Sequence, residues 1–542
     1  MTYIHLFQTV SAFTEAYSEE NYYEPWVSLT VENEHVDFNK KPRDYSKEPL
    51  TLEIVSGGTL KFMHGEQIEA KTIRYSINDG EWTEMTAATS AETVPSITVS
   101  AGDIVKLKGD NEQYSNGMSV YNRTIFSGGT AKYNVYGNIM SLISSNNFAN
   151  LKQFTAPYAL YNLFYSGGSI DASNLVLPAT GLTDGCYGGL FAYCKELVAT
   201  PAILPATELA SSCYTSMFYG TAISTTPELP ATTIAEYCYY WMFRECTNLE
   251  TAPTLPATIM KTGCYAEMFR GCTNLTSPPQ LPSTVLAPSC YSAMFSACTK
   301  LATAPALPAT ALTDQCYSSM FRRTAISTAP ELPATELATS CYLSMFEGCY
   351  GLTSAPELPA TATTTRCYQG MFEGCYGLTS APDELPATVL GEYCYSGMFM
   401  SCTALTVAPN LPATTLNIYS YSYMFYNCLS LTGAPVICAT TLANNCCEYM
   451  FSRCTKLTVA PVLNAPTLVT RCYRYMFSGC TKLNYIKAMF TTTPTTSSTS
   501  GTYNWVTGVA SSGTFIKNSA AEWSLTGVHG VPSNWQVQTE TV

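Results

Sequence analysis

Residues 264–276 read Cys264-Tyr265-Ala266-Glu267-Met268-Phe269-Arg270-Gly271-Cys272-Thr273-Asn274-Leu275-Thr276, and the chain carries twelve variants of this stretch. The phenylalanine of its Met-Phe (or Leu-Phe) pair falls at Phe191, Phe218, Phe243, Phe269, Phe295, Phe321, Phe346, Phe372, Phe399, Phe425, Phe451 and Phe477, at intervals of 25 to 27 residues. A fixed period of that length belongs to architectures in which one small unit stacks on the next. One unit cannot bury its apolar face alone; a stack can.

The type unit runs from Thr251 to Leu275. Thr251 to Leu255 reads as a short extended segment, and Pro253 and Pro256, which lack an N–H, break any ladder between units. Thr258 suits a helix N-cap. Met260, Cys264 and Met268 follow i, i+4, i+8 spacing, with Tyr265 and Phe269 one step round the same side. Leu209, Cys213, Met217 and Leu337, Cys341, Met345 repeat the pattern, and Gly271 suits a helix C-terminus. The predicted fold is an α/β solenoid, leucine-rich-repeat-like, with one short strand and one short helix per unit, preceded by a small all-β sandwich.

Working outward, residues 181–490 hold the twelve repeats and residues 131–180 the N-terminal cap, with Tyr161-Asn162-Leu163-Phe164 as a degenerate first copy. Residues 46–130 carry short alternating runs such as Leu50–Val55, Ile73–Ile77 and Ile104–Leu107, and a tight-turn signal at Asn78-Asp79-Gly80. Residues 491–542 open with a Thr/Ser/Gly-rich linker and then supply Trp505, Phe515, Trp523 and Trp535 for a C-terminal cap. Residues 1–45 are aromatic and acidic and too short for a core of their own. Two readings of them stand side by side: an arm that folds against a partner through Tyr22, Tyr23 and Trp26, or an extra strand and helix packed on the next domain.

The net charge is −13 with 12% charged residues, which disfavours nucleic acid and anionic lipid as partners. No run of apolar residues is long enough to span a membrane, and Met1 to Tyr17 does not read as a secretory signal. The expected site of synthesis is a cytoplasm, with retention there or release by lysis. All 23 cysteines lie between Cys186 and Cys480, in a C-x7-C pattern foreign to zinc sites, with no histidine in the repeats. They read as two columns of small buried thiols. Gaps at Thr221, Thr324 and Ser420 favour packing over metal binding. No Ser/His/Asp set, Walker loop or HExxH pattern is present, so no catalytic residue, metal or cofactor is expected.

The run C-Y-x-x-M-F-x-G-C-T-x-L-T-x-A-P-x-L-P-A-T-x-L closely resembles the BspA-like (Treponema pallidum-type) leucine-rich repeats of gut Bacteroidales and their phages, over about residues 155–490. The resemblance implies a surface-exposed adhesion module without catalysis. Glu24-Pro25-Trp26-Val27-Ser28 is similar to the starts of structural proteins of Bacteroides-infecting crAss-like phages. That implies a virion fibre or decoration protein, assembled in the host cytoplasm and anchored to capsid or tail proteins by its N-terminal arm. Such a protein would oligomerise and bind a host-surface glycan or protein through the repeats. The alternative is a bacterial cell-surface adhesin of the same repeat type.

Core positions repeat, whereas the two residues between Tyr and Met and the two after Phe vary. At those positions stand Tyr240, Trp241, Arg244, Arg270, Tyr423, Tyr426, Tyr449 and Tyr475, of the residue types favoured at recognition hot spots. They form the candidate ligand-binding edge.

Overall fold

The computed structural model describes residues 29–31, 34–36, 43–90 and 93–541. Residues 1–44 form a unit of their own. Within it β1 (Leu29–Val31) pairs antiparallel with β2 (Glu34–Val36). Tyr22, Tyr23 and Trp26 lie outside the described residues.

The second unit begins at Tyr45. Its strand-rich first part contains β3 (Leu50–Ser56), β4 (Gly58–His64), β5 (Thr72–Ile77), β6 (Thr83–Thr86), β7 (Ser96–Val99), β8 (Ile104–Gly109) and β9 (Thr124–Phe126). It continues with β10 (Lys132–Asn138), β11 (Ser169–Asp171) and β12 (Leu175–Val176). One sheet has the order β11-β10-β3-β8-β5-β6, with β12 also on β10; a second has the order β7-β4-β9. Alternating burial along β8 puts Val105 and Leu107 inside. Asn78 and Asp79, at φ 52° and 60°, make the tight turn between β5 and β6.

The sheet does not stop at residue 130. β10 is antiparallel to β3 and parallel to both β11 and β12, so it joins the sheet to the repeats that follow. Gly137 is required in it: φ is 82°, and a Cβ would lie 2.1 Å from the Pro49 carbonyl oxygen.

In the repeats the expectation of one helix and one strand per unit is corrected. The segment read as helical is a ribbon of consecutive turns. Cys264, Ala266, Met268, Arg270 and Cys272 donate their N–H to the carbonyl three residues back, at 3.0–3.2 Å. Tyr265, Glu267, Phe269 and Gly271 donate to Cys290, Ser292, Met294 and Ser296 of the next repeat, at 2.8–3.0 Å. Alternate N–H groups are thus satisfied within the turn and across repeats, which leaves no i→i−4 ladder. The ribbon needs a left-handed residue every fourth position, here Gly263, Glu267 and Gly271 at φ 57°, 53° and 78°. Spacing of i, i+4, i+8 fits a four-residue turn period as well as a helical one. In place of strands, the Pro-containing side holds isolated parallel bridges such as Thr251↔Ser277 and Ile259↔Val285. With its N–H donors removed by proline, that side cannot extend a ladder.

Equivalent side chains form buried columns. From Phe164 to Phe477 neighbouring rings stack with centroids 5.4–6.0 Å apart. The column continues into the sheets through Phe126 and Phe62, and it ends on Trp505. A tyrosine column runs beside it from Tyr187 to Tyr421. All 23 cysteines are unbridged, and all but Cys438 are buried. The second column has a defined bond: Cys272 Sγ donates to the Phe243 carbonyl at 3.0 Å, and Cys298 to that of Phe269 at 3.1 Å. Where threonine replaces cysteine, Thr221 and Thr324 donate to the Phe218 and Phe321 carbonyls at 2.9 Å. Burial pushes the Cys238 and Cys480 thiols up to about 12, so these groups pack as neutral hydrophobes.

Past the twelfth copy the ribbon continues. Tyr473, Tyr475, Phe477 and Gly479 donate to Gly501, Tyr503, Trp505 and Thr507. A parallel three-stranded sheet of β13 (Tyr485–Ala488), β14 (Thr514–Asn518) and β15 (Gln536–Glu540) closes the chain.

Candidate ligand-binding surface

The residue after each left-handed position, such as Cys264, Met268 or Cys272, is buried in the core, so the partly exposed side chains of the ribbon come from positions such as the left-handed Glu267 and, after the phenylalanine, Arg270. Left-handed backbone costs an L-residue about 1–2 kcal/mol through its Cβ, a cost that glycine escapes. Gly189, Ser216, Ala293, Ser319, Ser344, Gly370 and Gly397 occupy the central left-handed position in seven repeats. In four others it is Trp241, Tyr423, Tyr449 and Tyr475, at φ 54–60°. Aromatics at strained positions outside the core call for a reason other than folding.

Each of these four sits in a cluster. In the first, Tyr240 and Trp241 stack at 4.5 Å, Tyr237 meets Tyr240 edge-on at 5.9 Å, and Tyr219 lies 6.0 Å from Trp241. The Arg244 guanidinium covers the Trp241 ring at 4.6 Å and the Tyr219 ring at 5.4 Å. Glu267 pairs with Arg244 at 2.8 Å and with Arg270 at 2.7 Å. The Trp241 indole N–H is buried without an acceptor among the described residues. Burial, with Glu267 adding to it, pushes the Tyr240 hydroxyl up to about 12.

The second cluster is a comb. Tyr423, Tyr449 and Tyr475 stack face to face at 4.7 and 4.6 Å, and Tyr426 packs on Tyr423 at 5.7 Å. Tyr393 and Tyr419 form a parallel pair at 4.7 Å one turn along. Arg474 covers the Tyr475 ring at 5.2 Å and pairs with the nearly buried Glu448 at 3.0 Å; Arg453 lies 5.6 Å over Tyr426. Burial, then Glu448, pushes the Tyr423 hydroxyl up to about 12.

The eight residues expected to form one edge therefore assemble as two groups of four. Tyr240, Trp241, Arg244 and Arg270 meet in adjacent repeats, and Tyr423, Tyr426, Tyr449 and Tyr475 meet in three. Seven repeats separate Phe243 from Phe425, about 35 Å at one inter-strand spacing each. Tyr219, Tyr237, Tyr393 and Tyr419 were not singled out by sequence. Their signal was available: Tyr237, Tyr393 and Tyr419 stand where other repeats have Gly263 or Ser289.

Among the described residues no three His, Cys, Asp or Glu side chains are placed to hold a metal ion. No helix among them is long and apolar enough to cross a membrane.

The sequence profile of the BspA type leucine rich repeat region (6 copies) matches residues 207–353, 266–401, 317–458 and 366–499, together more than half of the 542 residues. No curated protein matches the chain. Among solved structures, the chain is similar to a leucine-rich repeat protein from Bacteroides ovatus at 15% identity and a TM-score of 0.36, over 80% of this chain and 99% of that one. It is also similar to a leucine rich cell surface protein from Faecalibacterium prausnitzii at 17% identity and a TM-score of 0.30, over 57% of this chain and 78% of that one.

Proposed function

The chain belongs to the BspA-type leucine-rich repeat family, and from that membership we propose that its repeats form an adhesive solenoid whose turn ribbon grips a surface glycan or protein. One observation carries the reading. Trp241, Tyr423, Tyr449 and Tyr475 occupy left-handed positions where glycine folds at lower cost, and each stacks with further aromatics beside an arginine. Aromatic and arginine side chains held rigid by their neighbours lose little entropy on binding. Two such clusters on one stack supply two points of attachment, and a linked pair binds more tightly than either alone.

For the carrier we propose a phage virion, on which the N-terminal arm attaches the protein to capsid or tail and the repeats engage the host. The support is the likeness of Glu24 to Ser28 to phage structural proteins. The rival is a bacterial cell surface, and oligomerisation would serve either.

The test is attachment of the purified full chain to Bacteroidales cells, wild type against Trp241→Ala/Tyr449→Ala. The double variant is expected to lose at least about tenfold in cell binding, two hot-spot residues at 1 kcal/mol or more each. Equal attachment of the two proteins would remove the proposal. Sedimentation of the native protein with intact virions or with the bacterial envelope decides the carrier.

A further inference from the structure

Charge is distributed unevenly along this chain. Residues 393–521 contain seven Lys and Arg and a single acid, Glu448, whereas the remainder holds 20 basic and 39 acidic residues. The tyrosine comb lies within this basic quarter. Glu448 is committed to Arg474, and Lys487 to Glu540 at 2.6 Å. Arg453, Lys456 and Lys482 are exposed and make no ion pair among the described residues. Arg471 donates Nε to the Ser498 carbonyl at 3.3 Å and likewise pairs with no acid there. Lys456 and Lys482 are equivalent positions of neighbouring repeats, and Arg453 belongs to the same repeat as Lys456 and lies over Tyr426.

From this placement we infer that the C-terminal cluster takes an acidic polysaccharide, its carboxylates or sulfates meeting Arg453, Lys456 and Lys482 while its hydroxyls meet the tyrosine edges. The inference rests on the adhesion reading and narrows the ligand. Three features favour a charged sugar chain over a nucleic acid. The faces of Tyr423, Tyr449 and Tyr475 are covered by one another, at 4.6–4.7 Å, so no base can stack on the middle ring. What the comb presents is a row of hydroxyl-bearing edges at the period of the stack. The tyrosine hydroxyls are hydrogen-bond donors to anionic or hydroxyl oxygens at neutral pH, and burial moves those of Tyr423 and Tyr449 further up. The acidic remainder of the chain repels a polyanion as dense as DNA, whereas a sparsely charged polymer can lie along one basic face.

The experiment immobilises the full chain and passes hyaluronan (carboxylate only), keratan sulfate (sulfate only), dextran (neutral) and a thymidine oligonucleotide over it at low and high salt. Hyaluronan, keratan sulfate or both are expected to bind and to weaken with salt, and the two arms tell carboxylate from sulfate; dextran is expected to stay silent. Arg453→Ala/Lys456→Ala/Lys482→Ala should weaken that binding about tenfold, the sum of three solvated charge contacts. These positions are exposed, and an unchanged melting curve shows that the variant is folded. Dextran binding as tightly as the acidic glycans, oligonucleotide binding at least as tightly, or an unaffected triple variant would each overturn the inference. If both acidic glycans fail while wild-type chain still attaches to cells, this inference falls and adhesion stands; if the chain attaches to no cell, adhesion itself falls.

Discussion

Ser420 is the one serine in the first thiol column, and replacing it with cysteine should stabilise the stack. The residue is fully buried, and its Oγ has no hydrogen-bond partner among the described residues. Equivalent positions in the two flanking repeats are Cys394 and Cys446, both buried. A buried hydroxyl without a partner costs about 1–3 kcal/mol, whereas a thiol is a weak donor that tolerates the same site. The larger sulfur also restores contacts across the column. Ser420→Cys is therefore expected to gain about 1–2 kcal/mol, and Ser420→Ala less, because it removes the orphan oxygen but leaves a gap. Stability in a stack is a sum over neighbouring interfaces, so the gain is local. Hydrogen exchange at the amides of residues 419–428 reads it directly, as slowing of about fivefold to thirtyfold. The reverse change, Cys264→Ser, should speed exchange in its own repeat, since the best acceptor near Cys264 Sγ is the Met260 sulfur at 3.8 Å. Exchange that is unchanged or faster in Ser420→Cys would refute the reasoning.

Phe295→Ala removes a ring stacked at 5.8 Å on both Phe269 and Phe321 and should cost about 3–5 kcal/mol, read as new proteolytic cleavage between residues 269 and 321 while the N-terminal sheets stay intact. Alkaline pH should unfold the repeats. Burial lifts Cys186, Cys238, Cys316, Cys341 and Cys394 from 9.0 to about 12, so the folded state keeps protons that the unfolded state releases. Stability is fully present below pH ~9 and falls as pH rises from there toward 12, by up to ~1.4 kcal/mol per pH unit for each thiol. Circular dichroism against pH checks the window, and a midpoint unmoved by Cys→Ala changes at several of these sites would contradict it.

The columns were legible in the sequence because burial repeats with the period: Cys264, Met268, Phe269, Cys272 and Leu275 are all fully buried. What sequence misread was the backbone between them. Apolar residues four apart suit either a helix or a ribbon of turns, and only the left-handed residues tell them apart. Their trace was present in Gly185 and Gly189, Gly263 and Gly271, and Gly370 and Gly374, pairs set four or eight apart that no stable helix would carry. Strand β10 was read as part of the N-terminal cap, because its role depends on β3, more than 70 residues earlier, and on β11, about 30 later. The candidate surface was half visible. Variable positions marked the residues, but their gathering into two clusters follows from which repeats are adjacent and which side chains stack.

The hydrogen bonds between repeats point along the stack, and this sets how the molecule bears load. Tension applied to its two ends passes through every interface in series, so each carries the full force and the weakest yields first. A released repeat of about 26 residues pays out up to roughly 90 Å of extended chain before the next interface is loaded. The molecule is thus a line of mechanical fuses, and an extension trace should show evenly spaced steps of that length.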